Sequence, residues 1–382
     1  MHPIGSNTII DNGPTVMHVV TSLHFGGVEK HMELISEELL AASMNHVFVA
    51  LGGGGETAER LRENRAEVVC LNQPVRIPSF GALTRLFKLL KKYRPVVIHT
   101  HGAEANFHGL IAGWLADIPV RIAEEIGMPE HGAKAKLTFR LVYGLAHRVI
   151  GVSEIVSAWL ENNNEVPRSK LVCLNCPTRL PRQRMTRNPE LDAQFRVCFV
   201  GRLEPVKNPL VLIPAAVKLI EQGIPLEVWI IGEGSLRPEL ERQIEKNGLT
   251  GIVKLYGFQA DPAEFMRRSS IYVQPSFSEG CSISLVEAMG CGVPVVVPRI
   301  GNAPELVETN VSGWLLEDNS TEAVVEGLRQ AWDAGPQRLF EMGQAAHKTV
   351  EGRFEPARYV RDLEALYSRV SAGNKERVRC ES

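Results

Sequence analysis

Short runs of β-branched and apolar residues alternate with helical patterns along almost the whole sequence. This alternation favours βαβ units, in which crossover helices join parallel strands. Stretches that are apolar throughout, such as Val295–Val297, are typical of strands buried on both faces of a sheet. We therefore predict an α/β protein with parallel sheets. The predicted strands are Val16–Ser22, His46–Leu51, Glu67–Leu71, Val96–Thr100, Val120–Ala123, Arg148–Val152, Lys170–Leu174, Phe195–Val200, Leu226–Ile231, Ile252–Leu255, Ile271–Gln274 and Val293–Val297.

The order of strand, glycine-containing loop and helix repeats on either side of Cys176–Asp192, which is rich in proline and arginine. The repetition predicts two Rossmann-like domains with parallel sheets facing a central cleft, where ligands lie beyond the carboxyl ends of the strands. We expect a disordered leader (1–15), an N-terminal domain (16–180), a linker (181–194) and a C-terminal domain (195–355). The last segment (356–382) is expected to be a helix that crosses back to the first domain and ends in a polar tail.

Composition narrows the class of protein. The formal net charge of -2 gives no reason to expect a nucleic-acid partner, because neutralising phosphates requires a basic excess. The seven cysteines are an odd number at scattered positions, as expected for reduced thiols in a cytoplasmic protein. Cys173 and Cys176 have C-x-x-C spacing, but no second pair completes a zinc site, so no metal site is predicted. The sequence has no apolar run long enough to span a bilayer and no signal-peptide pattern at its start.

Two loops that follow predicted strands have features suited to binding an anion. Gly26 and Gly27 let a phosphate approach the backbone where a helix N-terminus presents free N–H groups; the alternative is an ordinary tight turn. Gly201 ends a later strand, and Arg202 and Lys207 follow it on one loop. The two cations can converge on a diphosphate; the alternative is a solvated basic loop.

A third loop carries two carboxylates, Glu279 and Glu287, separated by seven residues. Glu279 lies after a predicted strand, and Glu287 lies in the following helix, which has about 3.6 residues per turn. The helix start near Ser282 directs its dipole toward a phosphate or developing charge. Carboxylates accept hydrogen bonds from hydroxyl groups, so the pair can hold sugar and ribose hydroxyls; the alternative is an acidic surface pair.

These motifs, together with Gly232-Glu233-Gly234 and Leu255–Phe258, resemble glycosyltransferase family 4, whose fold is GT-B. The resemblance covers nearly the whole chain and is stronger in the second half. It implies that Glu287 holds the ribose, Glu279 contacts the transferred sugar, and Arg202 and Lys207 hold the diphosphate. The positions expected to bind the nucleotide sugar are Gly26, Gly27, Ser153, Gly201, Arg202, Lys207, Phe258, Glu279, Gly280, Cys281, Ser282, Ile283 and Glu287.

The resemblance implies a retaining glycosyltransferase that moves a sugar from a UDP- or GDP-type donor to an acceptor. The acceptor expected from such relatives is a saccharide or a lipid-linked saccharide of a bacterial surface polymer, bound by the N-terminal domain, while the C-terminal domain binds the donor. The sequence has no Asp-x-Asp motif, and we expect no metal and no cofactor, only the donor as co-substrate. The alternatives are a nucleotide-sugar epimerase of the same fold and a non-catalytic nucleotide-sugar-binding protein.

Two residues of the first half receive roles from the resemblance. His101 ends a predicted strand and matches the second His of a family His-x-His motif, so it is the candidate for contacting the donor sugar in the transition state. His99 is expected to point to the opposite face of the strand and not to act. Ser153 matches a serine at a strand end. The predicted catalytic residues are therefore His101, Arg202, Lys207 and Glu279.

The sequence departs from the family pattern at two places. Cys281 and Ser282 stand where many members have an aromatic residue and a glycine, and Asn302 follows Gly301 where a second glycine is common. Backbone groups make the contacts expected there, so these departures bear on the choice of donor sugar rather than on transfer itself.

Two basic stretches of the first half raise the question of membrane contact. Leu83–Arg94 has an amphipathic helical pattern, and Lys134, Lys136 and Arg140 lie near apolar residues. Basic amphipathic helices bind anionic lipid surfaces, so we expect weak peripheral contact at the inner face of the plasma membrane. The alternative, favoured for Leu83–Arg94, is that the apolar side packs on the first sheet.

Overall fold

The computed structural model describes residues 13–24, 26–128, 131–181 and 194–381. Most of the expected leader and linker, residues 1–12 and 182–193, lies outside the described residues. The chain forms two compact units, one comprising Met1–Thr178 and Glu355–Ser382, the other Arg179–Phe354. No helix among the described residues is long and apolar enough to cross a membrane.

The first unit contains a seven-stranded parallel sheet in the order β3-β2-β1-β4-β5-β6-β7. Its strands are β1 (Thr15–Val20), β2 (Asn45–Ala50), β3 (Glu67–Cys70), β4 (Val97–His101), β5 (Val120–Glu125), β6 (Arg148–Gly151) and β7 (Leu171–Cys173). Its helices are α1 (Gly27–Glu37), α2 (Glu56–Glu63), α3 (Phe80–Tyr93), α4 (Ala103–Leu115), α5 (Ala133–Gly144), α6 (Glu154–Asn162) and, from the chain end, α13 (Pro356–Glu381).

Helices cover both faces of this sheet. Leu86 and Leu90 of α3 belong to the apolar core on one face, so the apolar side of Leu83–Arg94 packs on the sheet. On the other face, Leu363 and Tyr367 of α13 join the core formed by α1 and α2. The last helix of the chain is therefore part of the first unit, although its residues are remote in sequence from the strands it covers.

The second unit contains a six-stranded sheet in the order β10-β9-β8-β11-β12-β13, also parallel. Its strands are β8 (Phe195–Val200), β9 (Leu226–Ile231), β10 (Val253–Gly257), β11 (Ile271–Val273), β12 (Val295–Pro298) and β13 (Gly313–Leu316). Its helices are α7 (Leu212–Glu221), α8 (Arg237–Lys246), α9 (Ala263–Arg267), α10 (Ile283–Gly290), α11 (Ala303–Leu306) and α12 (Thr321–Val350), the last broken at Gly335.

The predicted fold class is confirmed, since both units are Rossmann-like α/β structures with parallel sheets. Phe195–Val200 and Leu226–Ile231 were predicted with the observed bounds, and the other ten predicted strands differ from the observed ones by one or two residues at one or both ends, where hydrogen bonding frays. Strand β13 was not predicted, because Gly-Trp-Leu-Leu is short and has no β-branched residue.

Candidate functional site

The loops after β8 and β9 approach each other closely at the carboxyl edge of the second sheet. Gly201 N donates to the carbonyl of Ile231, and Gly232 has a φ of +140°. A Cβ at Gly232 would lie 1.9 Å from the carbonyl oxygen of Gly201, so a side chain there would push the loops apart. The glycine keeps the backbone that bears Arg202 against the sheet edge, and Arg202 itself is exposed.

Lys207 and Glu279, which come from two separate motifs, meet at this edge. Lys207 Nζ lies 2.6 Å from Glu279 Oε1, and only 19% and 9% of their side chains are exposed. Gln274, at the end of β11, donates from Nε2 to the same oxygen at 2.5 Å and accepts from Ser282 Oγ at 2.6 Å. Charge-assisted hydrogen bonds of this kind are stronger than neutral ones, so the carboxylate is held in a fixed position.

The residues that depart from the family pattern contact one another. Asn302 is fully buried; its Oδ1 accepts from the backbone N–H of Ser282 at 2.9 Å, and its Nδ2 donates to Cys281 Sγ at 3.3 Å. Ser282 also caps α10 by accepting from Leu285 N. Gly301 has a φ of +54°, and a Cβ there would lie 2.8 Å from the Glu279 side chain. The departures therefore form one hydrogen-bonded unit beneath the Glu279 loop.

The remaining predicted residues of this unit lie around that loop. Ile283 begins α10 and Glu287 lies in its second turn, both partly buried, and Gly280 directly follows Glu279. Phe258 follows β10 and is 57% exposed, as expected of a side chain available to stack on a ligand. The roles assigned to these residues stay predictions.

In the first unit, the carboxylate of Glu29 lies against Gly26, whereas a Cβ built on Gly27 would meet no atom within 4 Å among the described residues. Helix α1 begins at Gly27, and Glu29 lies in its first turn, where a carboxylate is stabilised by the helix dipole. A Cβ at Gly26 would lie 2.5 Å from Glu29 Oε2, and Ser22 Oγ donates to Glu29 Oε1 at 3.1 Å. A phosphate that approached Gly26 would therefore meet a negative charge, and the binding of the donor at Gly26 and Gly27 stays a prediction.

A pocket of about 430 Å³ lies at the carboxyl ends of β1, β4 and β5. Three carboxylates and His101 are among the residues that line it. Glu104 accepts from Thr21 Oγ1 at 3.3 Å, and Glu125 accepts from Tyr143 at 2.7 Å. Burial raises the pKa of Glu125 to about 7, so this group is poised to exchange a proton near neutral pH.

His101 lies at the pocket wall, but both of its ring nitrogens already have partners. Nδ1 hydrogen-bonds Glu124, and Nε2 lies 3.0 Å from His18 Nδ1. The expectation for His99 was wrong: residues two apart on a strand share a face, and the rings of His99 and His101 are 4.0 Å apart. His99 Nδ1 in turn contacts the hydroxyl of Tyr367 at 2.7 Å.

Glu124 is a fully buried carboxylate beneath this cluster. Burial alone would raise its pKa, but the nearby rings of His31 and His101 and the hydrogen bonds from His101 and Tyr359 outweigh it, so the pKa is lowered. The hydroxyl of Tyr359 donates to Glu124 Oε1 at 3.2 Å. The carboxylate is therefore ionised in the interior, where a charge needs compensation from its neighbours.

Ser153 lies at the end of β6 and is fully buried. Its hydroxyl accepts from Val156 N at 3.3 Å and caps α6. Helix capping explains why a serine suits this position. Its contact with a donor stays a prediction.

A family model described as Glycosyltransferase Family 4 matches residues 25–180, and one described as Glycosyl transferases group 1 matches residues 182–349. An uncharacterized glycosyltransferase of Methanocaldococcus jannaschii is 35% identical over 320 residues, which are 80% of this chain and 84% of that protein. The chain belongs to glycosyltransferase family 4.

Other similar proteins agree with the family. The UDP-Gal:alpha-D-GlcNAc-diphosphoundecaprenol alpha-1,3-galactosyltransferase of Escherichia coli is 27% identical over 291 residues, 67% of this chain and 71% of that protein. Among solved structures, HepE of Anabaena in complex with UDP has a TM-score of 0.78 at 20% identity, covering 93% of this chain and 99% of that one. This likeness shows that the family 4 chain has the GT-B fold.

Two groups of buried side chains in this glycosyltransferase are close enough for their ligand atoms to surround an ion: His18, His99 and His101, and His31, Glu124 and Cys176. In the first group, hydrogen bonds within the cluster and to Glu124 and Tyr367 already account for the positions of the rings. In the second, His31 Nδ1 lies 4.0 Å from Glu124. We assign no metal ligands to either group.

Sequence reasoning missed several residues that shape these sites. Strand register pairs His18 with His99 and His101 with Glu124, so the cluster could have been found by aligning β1, β4 and β5 side by side. Gln274 gave no signal of its own, because an isolated glutamine after a strand has no characteristic spacing.

Proposed function

We propose that this protein transfers a sugar from a UDP-sugar to an acceptor with retention of anomeric configuration. The contact between Lys207 and Glu279 is the main support for the proposal. It brings a cation together with a carboxylate that can accept hydrogen bonds from sugar hydroxyls, at the carboxyl edge of a Rossmann-like sheet. Arg202 and Lys207 would neutralise the leaving diphosphate, and Glu287 would hold the ribose. The UDP complex of HepE and the UDP-Gal substrate named for the Escherichia coli relative support UDP over GDP.

Retention is what the resemblance to the family implies. Lys207 and Gln274 both bind Oε1 of Glu279, which fixes the position of the carboxylate. In the mechanism favoured for the family, the acceptor attacks from the face that the diphosphate leaves, and a leaving-group oxygen takes its proton. We further propose that the donor is the co-substrate and that the reaction needs no cofactor.

A thermal-shift screen of UDP- and GDP-sugars tests donor binding, because a ligand that binds only the native state raises the melting temperature. We expect one UDP-sugar to give the largest shift, and NMR of the purified product to show the donor's anomeric configuration. Consumption of the donor without acceptor would indicate an epimerase or hydrolase, and binding without turnover a non-catalytic protein.

We propose a lipid-linked saccharide as the acceptor, reached at the inner face of the plasma membrane. The relative from Escherichia coli is named for a diphosphoundecaprenol acceptor. Helix α5 supports contact with the membrane, since it exposes Leu137 (61%) and Leu141 (67%) beside the exposed cations Lys134 and Arg140. Lys136 donates instead to Asn163 within the first unit. Apolar residues flanked by cations suit an anionic lipid surface.

Sedimentation with vesicles of anionic phospholipid tests this contact. We expect salt-sensitive binding that is lost when Leu137 and Leu141 are changed together to Ser, and weakened when Lys134 and Arg140 are. Leu40 is 87% exposed in the same unit, so Leu40→Ser is the matched control and should bind normally. Equal binding by all variants, or none by the wild type at low salt, would refute the proposed surface.

A further inference from the structure

Five side chains of the first unit form a continuous chain from its surface to the pocket wall. Glu364 Oε1 lies 3.6 Å from His46 Nε2, and His46 Nδ1 lies 2.9 Å from His18 Nε2. His18 Nδ1 lies 3.0 Å from His101 Nε2, and His101 Nδ1 binds Glu124. The side chain of Glu364 is 13% exposed, whereas those of the three histidines and Glu124 are buried. This series of five side chains therefore begins at the solvent-exposed surface of α13 and ends inside the sheet.

The two acidic residues at the ends of this series, Glu364 and Glu124, are both ionised. Burial raises the pKa of Glu364, but the nearby His46 ring and the hydrogen bonds from Ser43 outweigh it and lower the pKa overall. Ser43 N and Met44 N donate to Glu364 at 2.9 and 3.0 Å. Glu124 is also ionised, and its ion-pair partners among the described residues are all imidazoles. A buried carboxylate that lacks a counter-charge costs several kcal/mol, so an imidazole must supply the charge.

The number of protons that the contacts require also indicates one charged imidazole. Three hydrogen bonds and the 3.6 Å ion pair between His46 and Glu364 join three imidazoles to two carboxylates, and each of these four contacts is favourable only with one proton between its two acceptor atoms. Three neutral imidazoles carry only three N–H groups in total. In the fourth contact, an unprotonated nitrogen would then face a carboxylate oxygen or another unprotonated nitrogen. His46 Nε2 is buried without a hydrogen-bond partner, which fits such a contact. One additional proton completes all four contacts.

His18 determines how the additional proton is distributed. Its burial, and the neighbouring His46, His101 and His31, lower its pKa well below the ordinary value, so His18 is the neutral middle member. If His18 donates to His101, then His46 is the imidazolium beside Glu364. If His18 donates to His46, then His101 is the imidazolium beside Glu124. A change of tautomer at His18 interconverts the two arrangements.

We propose that His46, His18 and His101 form a proton relay that shares one excess proton between Glu364 at the surface and Glu124 beside the pocket. In each transfer, one N–H bond breaks and one forms along the chain, so no other reactant is needed. The relay sets the charge of His101. A role of the relay in catalysis rests on the proposed glycosyl transfer, whereas the existence of the relay is independent of that function. The other titratable groups facing the relay are His31, His99, Cys176, Tyr359 and Tyr367, with Glu29, Glu104 and Glu125 around the pocket.

Nitrogen NMR of the full chain labelled with ¹⁵N-histidine tests the relay, because imidazolium, Nδ1–H and Nε2–H forms have different ¹⁵N shifts. We expect the three imidazoles of the wild type to share one excess proton at pH 7. Glu364→Gln removes the outer charge and should move the proton toward His101, changing the ¹⁵N shifts of His18 and His101. It should also lower the pH at which the trio loses the proton by about one unit or more.

Asp362→Asn is the matched control, because Asp362 lies on the same helix and pairs with Arg358. It should leave all three histidines unchanged. His18→Phe should make His101 insensitive to Glu364→Gln; if His18→Phe does not fold, the response to Glu364→Gln alone decides. Three neutral imidazoles from pH 5 to 8, a response confined to His46, or stoichiometric metal at the histidines by elemental analysis would overturn the relay. These readouts do not depend on turnover.

Discussion

Replacing Lys207 with alanine removes a cation proposed to meet the leaving diphosphate and also the ion-pair partner of Glu279. Glu279 would keep the hydrogen bond from Gln274, so we expect a loss of only about 1–2 kcal/mol in the free energy of unfolding. For a unit of this size, the melting temperature would fall by about 2–8 °C. Turnover should fall by about 10²-fold or more, because the charge of Lys207 matters most as the diphosphate leaves.

The assay measures UDP release with acceptor, using the donor that gives the largest thermal shift, together with thermal unfolding. Lys218→Ala is the matched control, because Lys218 pairs with Glu322 at an exposed position of the same unit and should change neither quantity. Arg202→Ala should reduce turnover without loss of stability, since Arg202 is exposed. A folded Lys207→Ala variant with wild-type kcat/KM would refute the reasoning.

Three further predictions follow from the sites. Glu287→Ala should mainly raise KM, because ribose contacts change little during reaction, whereas Glu279→Ala should mainly lower kcat; unchanged kinetics in both would refute the two-carboxylate model. EDTA should leave turnover intact, because Arg202 and Lys207 supply the cations; activity restored only by a divalent ion would contradict this. The pKa of Glu125 is raised from 4.5 to about 7, so the folded state binds the proton more tightly, and stability should fall by roughly 3 kcal/mol from pH 4.5 to 7. Urea unfolding of Glu125→Gln should lack this fall.

The sequence was sufficient for the architecture because every strand except β13 carries its own signal. Continuous apolar runs such as Val295–Val297 mark buried parallel strands, and glycines mark the turns that follow them. The carboxyl edge that bears Lys207 and Glu279 could be predicted for the same reason. Their direct contact could not, because it depends on the order of strands β8 and β11 in the sheet, which sequence spacing does not specify.

Side-chain partners were the feature that the sequence specified least. At Gly26, the missing side chain indicated space for a phosphate, but the carboxylate of Glu29 lies against that position. At Cys281 and Asn302, two departures from the family pattern lie 21 residues apart in the sequence, yet they are hydrogen-bonded to each other. Both cases depend on where a neighbouring side chain turns, which neither local propensity nor hydrophobic period determines.

Helix α13 has a consequence for the order in which the chain can fold during synthesis. Arg179–Phe354 is contiguous and leaves the ribosome complete, whereas the first unit lacks Leu363 and Tyr367 of its core until the last residues emerge. Until then, one face of its sheet has unburied apolar surface, and Glu124 lacks the hydroxyl of Tyr359. The first unit therefore begins to be synthesised before Arg179–Phe354 but completes its core after it, so it has the longer exposure to aggregation and to chaperones.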